Sequence, residues 1–189
     1  MVKFNKWGVL TKGHDEIRYA GIDKYEYNNG IGIGVTLFTQ FCSHQCLGCH
    51  NPETWDKEGG EPFTKDVYED LLDTLADDQI TRLTLSGGDP LDSLNLSCFV
   101  ASNFKKRFPN KQLWVYTGYT FEHILENPKY NQIIDLCDIL VDGEFDINKK
   151  DLSLAFRGSA NQRIIDVKKS LAQNNVVLWK GTENEQKNS

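Results

Sequence analysis

The chain has no apolar run long enough for a signal peptide or a membrane span; its apolar stretches, such as Ile139-Leu140-Val141, are the length of a strand. It has no basic block interleaved with aromatics, and its formal net charge is −6, so a surface built for nucleic acid or polyphosphate is not expected. No internal repeat is visible, and the glycines of Asn28-Asn29-Gly30-Ile31-Gly32 lack the spacing of a dinucleotide fingerprint. Cysteines number five, an odd count with three crowded together, which argues against a secreted disulfide framework. Together these absences read as a soluble cytoplasmic protein with no membrane or nucleic-acid partner.

The three crowded cysteines form Cys42-Ser-His-Gln-Cys46-Leu-Gly-Cys49, and no fourth lies nearby. A four-iron cube takes one thiolate per iron, so three thiolates leave one iron open to a ligand. A structural zinc would close its shell with four donors, which His44 or His50 would have to complete. Both readings stand at this point, with the reactive cluster favoured because the spacing leaves a metal position free. Gly48 lets the loop curl tightly, and His50 fits a place beside the ligand better than on the metal.

Hydrophobic residues at 39 % suffice for the core of one domain over residues 1–180, with 181–189 a polar, disordered tail. Residues 34–39 read as a buried strand. Thr64 reads as an N-cap with a Phe63–Tyr68 staple, opening a helix whose apolar face carries Val67, Leu71, Leu72 and Leu75. Strands follow at 82–86, 112–116 and 138–141, with a last one at 176–179. Helices are expected at 94–108, with Phe99, Val100 and Phe104 inside, and at 121–136 with a break at Pro128.

Strands alternating with amphipathic helices predict an α/β fold of mostly parallel strands. In such folds the carboxyl ends of the strands share one edge, where ligands bind. Four turns would meet there: the cysteine loop, Gly87-Gly88-Asp89-Pro90, Thr117-Gly118-Tyr119 and Asp142-Gly143. Gly87 and Gly88 expose backbone to a ligand, an amino acid ammonium for instance, but they equally suit an ordinary strand-ending turn. Asp142 fits a cation or ammonium site as well as it fits a capped turn. Arg157 reads as solvated or paired with a carboxylate, and Cys98, Cys137, Trp114 and Tyr116 as core.

The cysteine spacing resembles the signature of the radical S-adenosylmethionine superfamily. Several further motifs narrow the likeness: Cys49-His-Asn-Pro-Glu-Thr-Trp55, Leu85-Ser-Gly-Gly-Asp-Pro-Leu91, Trp114-Val-Tyr-Thr-Gly-Tyr119, Val141-Asp-Gly-Glu-Phe145 and Arg157-Gly-Ser-Ala-Asn-Gln-Arg163. Across residues 17–165 the chain resembles the activases of anaerobic ribonucleoside-triphosphate reductase, a glycyl radical enzyme. Gly48 stands where the superfamily often has an aromatic, as is usual in this activase family, and Asp89 stands where others have Glu.

The resemblance implies that Cys42, Cys46 and Cys49 ligate a [4Fe–4S] cluster whose open iron chelates S-adenosylmethionine. Gly48, Cys49, His50 and Gly88 would contact that ligand, and the turns carrying Gly87, Asp89, Thr117 and Asp142 complete the expected cofactor-binding set. No side chain is assigned as acid or base. One electron from a flavodoxin or ferredoxin-type donor would cleave the ligand and so install a glycyl radical on the reductase. The chain is too short for an eight-stranded barrel, so a partial, open (β/α) barrel with helices outside is expected, with Gly88→Val weakening the ligand but sparing the iron. The alternatives are another small radical S-adenosylmethionine enzyme (an activase with a different partner, or a deazapurine synthase) and a zinc-binding interaction module.

Overall fold

The computed structural model describes residues 1–181, so all but the first residue of the expected tail lies outside the described residues. A small antiparallel sheet opens the chain, built from β1 (Val2–Phe4), β2 (Leu10–Lys12) and β3 (Asp15–Glu16). The main sheet takes β4 (Arg18–Glu26), β5 (Ile33–Thr39), β6 (Glu61–Pro62), β7 (Ile80–Gly87), β8 (Gln112–Tyr116), β9 (Ile139–Asp142) and β10 (Arg163–Asp166). Its order is β10-β9-β8-β7-β5-β4-β6. The four central strands β5, β7, β8 and β9 run parallel, while β10, β4 and β6 pair antiparallel at the flanks. Its two edge strands, β10 and β6, do not pair with each other, so the sheet is open among the described residues.

The helices are α1 (Lys65–Leu75), α2 (Leu94–Arg107), α3 (Phe121–Glu126), α4 (Asn131–Leu136) and α5 (Val167–Gln173). Helix α1 starts as expected: the Thr64 hydroxyl accepts from Val67 N at 3.3 Å, and the Phe63 and Tyr68 rings sit 6.4 Å apart. Leu71, Leu72 and Leu75 are buried on its inner face, each contributing roughly 1.5–3 kcal/mol by leaving water. Pro128 breaks the expected helix at 121–136 because a residue preceding proline is driven to extended backbone. Asn127 there has φ −117° and ψ 101°, and a 3₁₀ turn, Pro128–Tyr130, separates α3 from α4. No helix among the described residues is long and apolar enough to cross a membrane.

Several elements differ from the sequence reading. Residues 176–179 do not form a strand. They run beside β10 with one isolated bridge, Ile165 to Leu178, and bonds from Asp166 N to Val177 O and from Trp179 N to Ile164 O. Strand β10, hidden in the polar motif 157–163 and its short apolar continuation, takes the edge position instead. The nine-residue β4 was also not anticipated; it lies half-exposed near the sheet edge and lacks the apolar run of a central strand.

One face of the central sheet is apolar. Leu37, Leu83, Leu85, Leu113, Val115 and Leu140 pack there with buried residues of α1 to α4. The opposite face is partly polar. Arg82 is fully buried and donates through Nη1 to Glu26 Oε1 at 2.6 Å and to Thr84 Oγ1 at 3.0 Å, while Thr36 Oγ1 donates to Glu26 Oε1 at 2.7 Å. Burial pushes the Glu26 carboxyl up, but hydrogen bonds from Arg82 and Thr36 outweigh it and hold the group below the usual carboxylate range. Beside this network, Trp114 packs against Phe156 at 5.6 Å and Trp179 at 5.2 Å.

Candidate metal centre

Because β5, β7, β8 and β9 are parallel, the four turns named above leave the sheet along one edge. They enclose a cavity of about 270 Å³. Cys42, Cys46, Cys49, His50, Gly87, Gly88, Asp89 and Thr117 all line it, as the sequence suggested, and His44 lines it with them. Gly48 does not: its φ is +76°, and a Cβ there would lie 2.9 Å from Ile147 Cδ1, so the residue is glycine for its turn and its packing. Asp142 also stands apart. It is buried, accepts from Phe121 N at 2.8 Å, and holds Arg163 through Nε at 3.0 Å and Nη2 at 2.5 Å. Arg163 reaches on to Glu122 at 3.0 and 2.8 Å, so Asp142 fastens β9 to α3 and β10.

The cysteine loop is tied to the β7 turn by main-chain and side-chain bonds. Gly88 N donates to Thr39 O at 2.9 Å and Asp89 N to Phe41 O at 2.8 Å. Ser43 N donates to Asp92 Oδ2 at 2.7 Å, and Ser93 Oγ to Gln40 O at 2.5 Å. Phe41 takes φ +86°, a strained value for a residue with a side chain, held by these bonds and by its own N–H to Thr54 O. The two glycines allow the approach: a Cβ on Gly88 would meet Phe41 O at 2.3 Å, and one on Gly87 would meet Phe38 Cα at 2.7 Å. Their first task is thus to seat the cysteine loop against the β7 turn.

Asp89 is the central brace. Its buried carboxylate accepts from Thr117 Oγ1 at 2.9 Å, Gly118 N at 2.8 Å and Leu91 N at 2.8 Å, joining the β7 and β8 turns. His44 Nε2 stands 3.1 Å from Asp89 Oδ2, an ion-pair distance, and its Nδ1 is 3.0 Å from Glu144 Oε1. Asp89 first, and Glu144 after it, push the imidazole up to about 9 against the opposing effect of burial. Both ring nitrogens of His44 thus face acids.

The donor set suits an iron–sulfur cluster better than zinc. Burial pushes the Cys42 thiol up to about 11, with Asp89 and Asp92 adding to it, and burial raises Cys46 as well. Ionising such thiols requires positive charge at the sulfurs, which a bound metal supplies. One tetrahedral zinc would draw its sulfurs to about 3.8 Å from each other, given Zn–S bonds of about 2.3 Å. Among the described residues, only His44, Asp89 and Asp92 gather three donor atoms within 4.8 Å, so at least one pair of the three sulfurs stands farther apart than zinc would hold it. A cube that gives each thiolate its own iron accommodates that spread. The trio of His44, Asp89 and Asp92 is itself spoken for, since Asp92 also accepts from Tyr119 Oη at 2.8 Å.

Several lining residues escaped the sequence reading, among them Phe38, Ser86, Tyr116, Phe145 and Gln162. Strand alternation would have found one: Tyr116 shares its face of β8 with Trp114, away from the helices. Arg157, expected in solvent or on a carboxylate, is half-buried and donates through Nη1 to Gln162 O at 2.9 Å.

Comparison with known proteins identifies an iron–sulfur domain. Residues 28–165 match the model of a 4Fe-4S single cluster domain. The chain is 42 % identical over 140 residues to an anaerobic ribonucleoside-triphosphate reductase-activating protein of Pasteurella multocida, covering 72 % of this chain and 89 % of that protein. Proteins of the same name match from Escherichia coli K12, at 41 % over 138 residues (71 % and 88 %), and from phage T4, at 37 % over 150 residues (78 % and 93 %).

Proposed function

The chain belongs to the family of anaerobic ribonucleoside-triphosphate reductase-activating proteins, and from that premise we propose that it activates such a reductase by radical S-adenosylmethionine chemistry. The observation that carries the reading is the convergence of three half-buried cysteines and three strand-end turns on one cavity. Cys42, Cys46 and Cys49 would hold a [4Fe–4S] cluster, leaving its fourth iron for the ligand. The chemistry such a cluster supplies is one-electron cleavage of the sulfonium C–S bond, giving methionine and a 5′-deoxyadenosyl radical that takes a hydrogen atom from a glycine of the reductase.

The chain's own residues supply position and shelter. Gly87 and Gly88 hold the cysteine loop against the sheet edge and leave that wall of the cavity free of side chains. Asp89 fixes the β7 and β8 turns to each other, so the cavity wall is set before a ligand arrives. The cavity's partial closure shields a reactive radical from water. A flavodoxin or ferredoxin-type protein is the proposed electron donor.

The test is anaerobic. The full chain is reconstituted with iron and sulfide, reduced with dithionite and given S-adenosylmethionine with and without the reductase. Formation of 5′-deoxyadenosine, with a glycyl radical on the reductase by electron paramagnetic resonance, is the expected result. Product without that radical assigns a different substrate. Absence of product from a preparation holding a four-iron cluster overturns the reading.

A further inference from the structure

The motif Arg157-Gly-Ser-Ala-Asn-Gln-Arg163 grips the segment that follows β9. Gln162 Nε2 donates to Gly143 O at 3.0 Å, Asn161 Nδ2 to Glu144 O at 2.8 Å, and Asp146 N to Ser159 Oγ at 3.2 Å. The residues on both sides of Phe145 are therefore fixed to one loop. The same segment also meets the cysteine loop, where Glu144 Oε1 stands 3.0 Å from His44 Nδ1.

Phe145 fills the space that these contacts define. Its side chain lines the cavity together with Cys42, Cys46 and Cys49. Two glycines bracket the ring. A Cβ on Gly158 would meet its Cδ2 at 3.1 Å and its Cε2 at 3.2 Å, and a Cβ on Gly48 would lie 3.7 Å from its Cε1. Gly158 does not take a positive φ, so backbone freedom does not account for a glycine there; room for the ring does. The His50 ring is centred 6.2 Å from that of Phe145 and closes a further side. Gly48 lies between Cys46 and Cys49, so the ring rests against the turn that carries two of the three thiols.

We propose that Phe145 is a positioning residue for the metal centre, an apolar shield that keeps water from the Cys46–Cys49 side of the cluster and is held in place by the 158–162 loop. This rests on the function proposed above, which puts a [4Fe–4S] cluster on these thiols. The consequence is electrical. Reduction adds negative charge, so water at the sulfurs favours the reduced form and an apolar wall disfavours it. Solvent exposure is one of the properties that set the potential of an iron–sulfur cluster. A dry wall keeps that potential low, which makes the electron a stronger reductant. Phe145 thus acts on the reaction through the surroundings of the cluster, not as an acid, a base or a ligand.

The test uses the full chain reconstituted anaerobically with iron and sulfide, without S-adenosylmethionine and at matched iron content. A redox titration followed by electron paramagnetic resonance gives the midpoint potential. Phe145→Ala is expected to shift the equilibrium about tenfold toward the reduced cluster, or about 59 mV for one electron. Phe145→Leu, which keeps an apolar body, is expected to shift it about threefold in the same direction. Pulsed resonance in D₂O should show more deuterons coupled to the reduced cluster, in the same order. If Phe145→Ala does not hold the cluster, Phe145→Leu carries the test alone. An equilibrium within about 1.5-fold of wild type in the variants that hold the cluster overturns the shield, even where the thermal midpoint falls, because that pattern is packing alone. A shift toward the oxidised form overturns it too, as does a shift without added deuterons, which would place the effect in the chain and not in water. A wild-type chain that assembles no four-iron cluster fails the proposed function and the shield with it. A wild-type cluster whose potential ignores Phe145 fails the shield alone, so the two failures are distinguishable.

Discussion

The two ends of the parallel strands treat polar groups in opposite ways. Toward the amino end of β7, Glu26, Arg82, Thr84, Thr36 and Asn29 satisfy one another, with only Arg82 Nε left without a partner among the described residues. At the carboxyl end, three half-buried thiols line a cavity of about 270 Å³. The closed end spends its polarity on holding the sheet together. The open end presents its thiols to that cavity, where the proposed cluster would sit. A single sheet thus separates stability from chemistry along its strands, as parallel α/β sheets tend to do.

The sharpest way to break this comparison is at the open end. Cys46→Ala is expected to reduce 5′-deoxyadenosine formation to background and to lower the iron bound per chain. Its urea midpoint should move little, because a half-buried loop cysteine contributes little packing. Retained turnover in the reconstituted variant would remove Cys46 from the metal centre. A large fall in stability without bound metal would instead show that the open end also holds the fold.

The closed end should behave in the reverse sense. Glu26→Ala leaves the buried Arg82 guanidinium without its carboxylate, a change that costs about 3–5 kcal/mol when one partner of a buried pair is removed. Chemical denaturation measures it. The wild-type pair also carries a pH dependence. The Glu26 carboxyl lies below its usual range in the folded chain, so its contribution is present above the unfolded-state value and is lost as pH falls through the folded one. The difference in stability between wild type and Glu26→Ala should therefore shrink in acid below about pH 4. A difference that stays constant with pH would mean that the pair does not hold the closed end as described.

Gly88 sits where the comparison is least clean, because it serves both the fold and the site. The sequence suggested that a side chain at this position would crowd the ligand and spare the iron. The structure moves the first collision to Phe41 O, 2.3 Å from a Cβ at Gly88, inside the cysteine loop. Gly88→Ala is therefore expected to cost about 1–3 kcal/mol through overpacking and to lower iron retention together with S-adenosylmethionine affinity. Wild-type iron content with weakened ligand would restore the simpler account.

What the sequence made legible follows from the range of the forces involved. The Thr64 cap, the Phe63–Tyr68 staple and the break at Pro128 act within a few residues, and each appears where the local pattern places it. The parallel centre and the meeting of its turns followed from strand–helix alternation, a pattern of medium range. The antiparallel flanks did not. Strand β4 is half-exposed and β10 is four residues long, so neither carries a strong apolar signature. Nor did the long-range partners of Asp89, His44 and Asp142, which lie 21 to 100 residues away and are chosen by the fold. Residue type announced that these groups would do something; only the tertiary arrangement says that Asp89 and Asp142 act as braces.

Thr64 offers the smallest and cleanest control on the comparison, because it is remote from both ends of the contrast. Its hydroxyl accepts from Val67 N and so satisfies one of the free N–H groups that open α1, and Thr64 also bridges to Val9, the residue just before β2. Thr64→Ala keeps the backbone bridge and removes only the cap, at an expected cost of about 1 kcal/mol. That loss should appear as a lower denaturation midpoint with an unchanged slope, since the surface exposed on unfolding stays the same. Iron content and 5′-deoxyadenosine formation should match wild type, because α1 packs beneath the sheet and contributes no residue to the cysteine cavity. If this distant cap altered the cluster's properties, stability and chemistry would be coupled through the whole domain, and the division between the two ends of the strands would not hold.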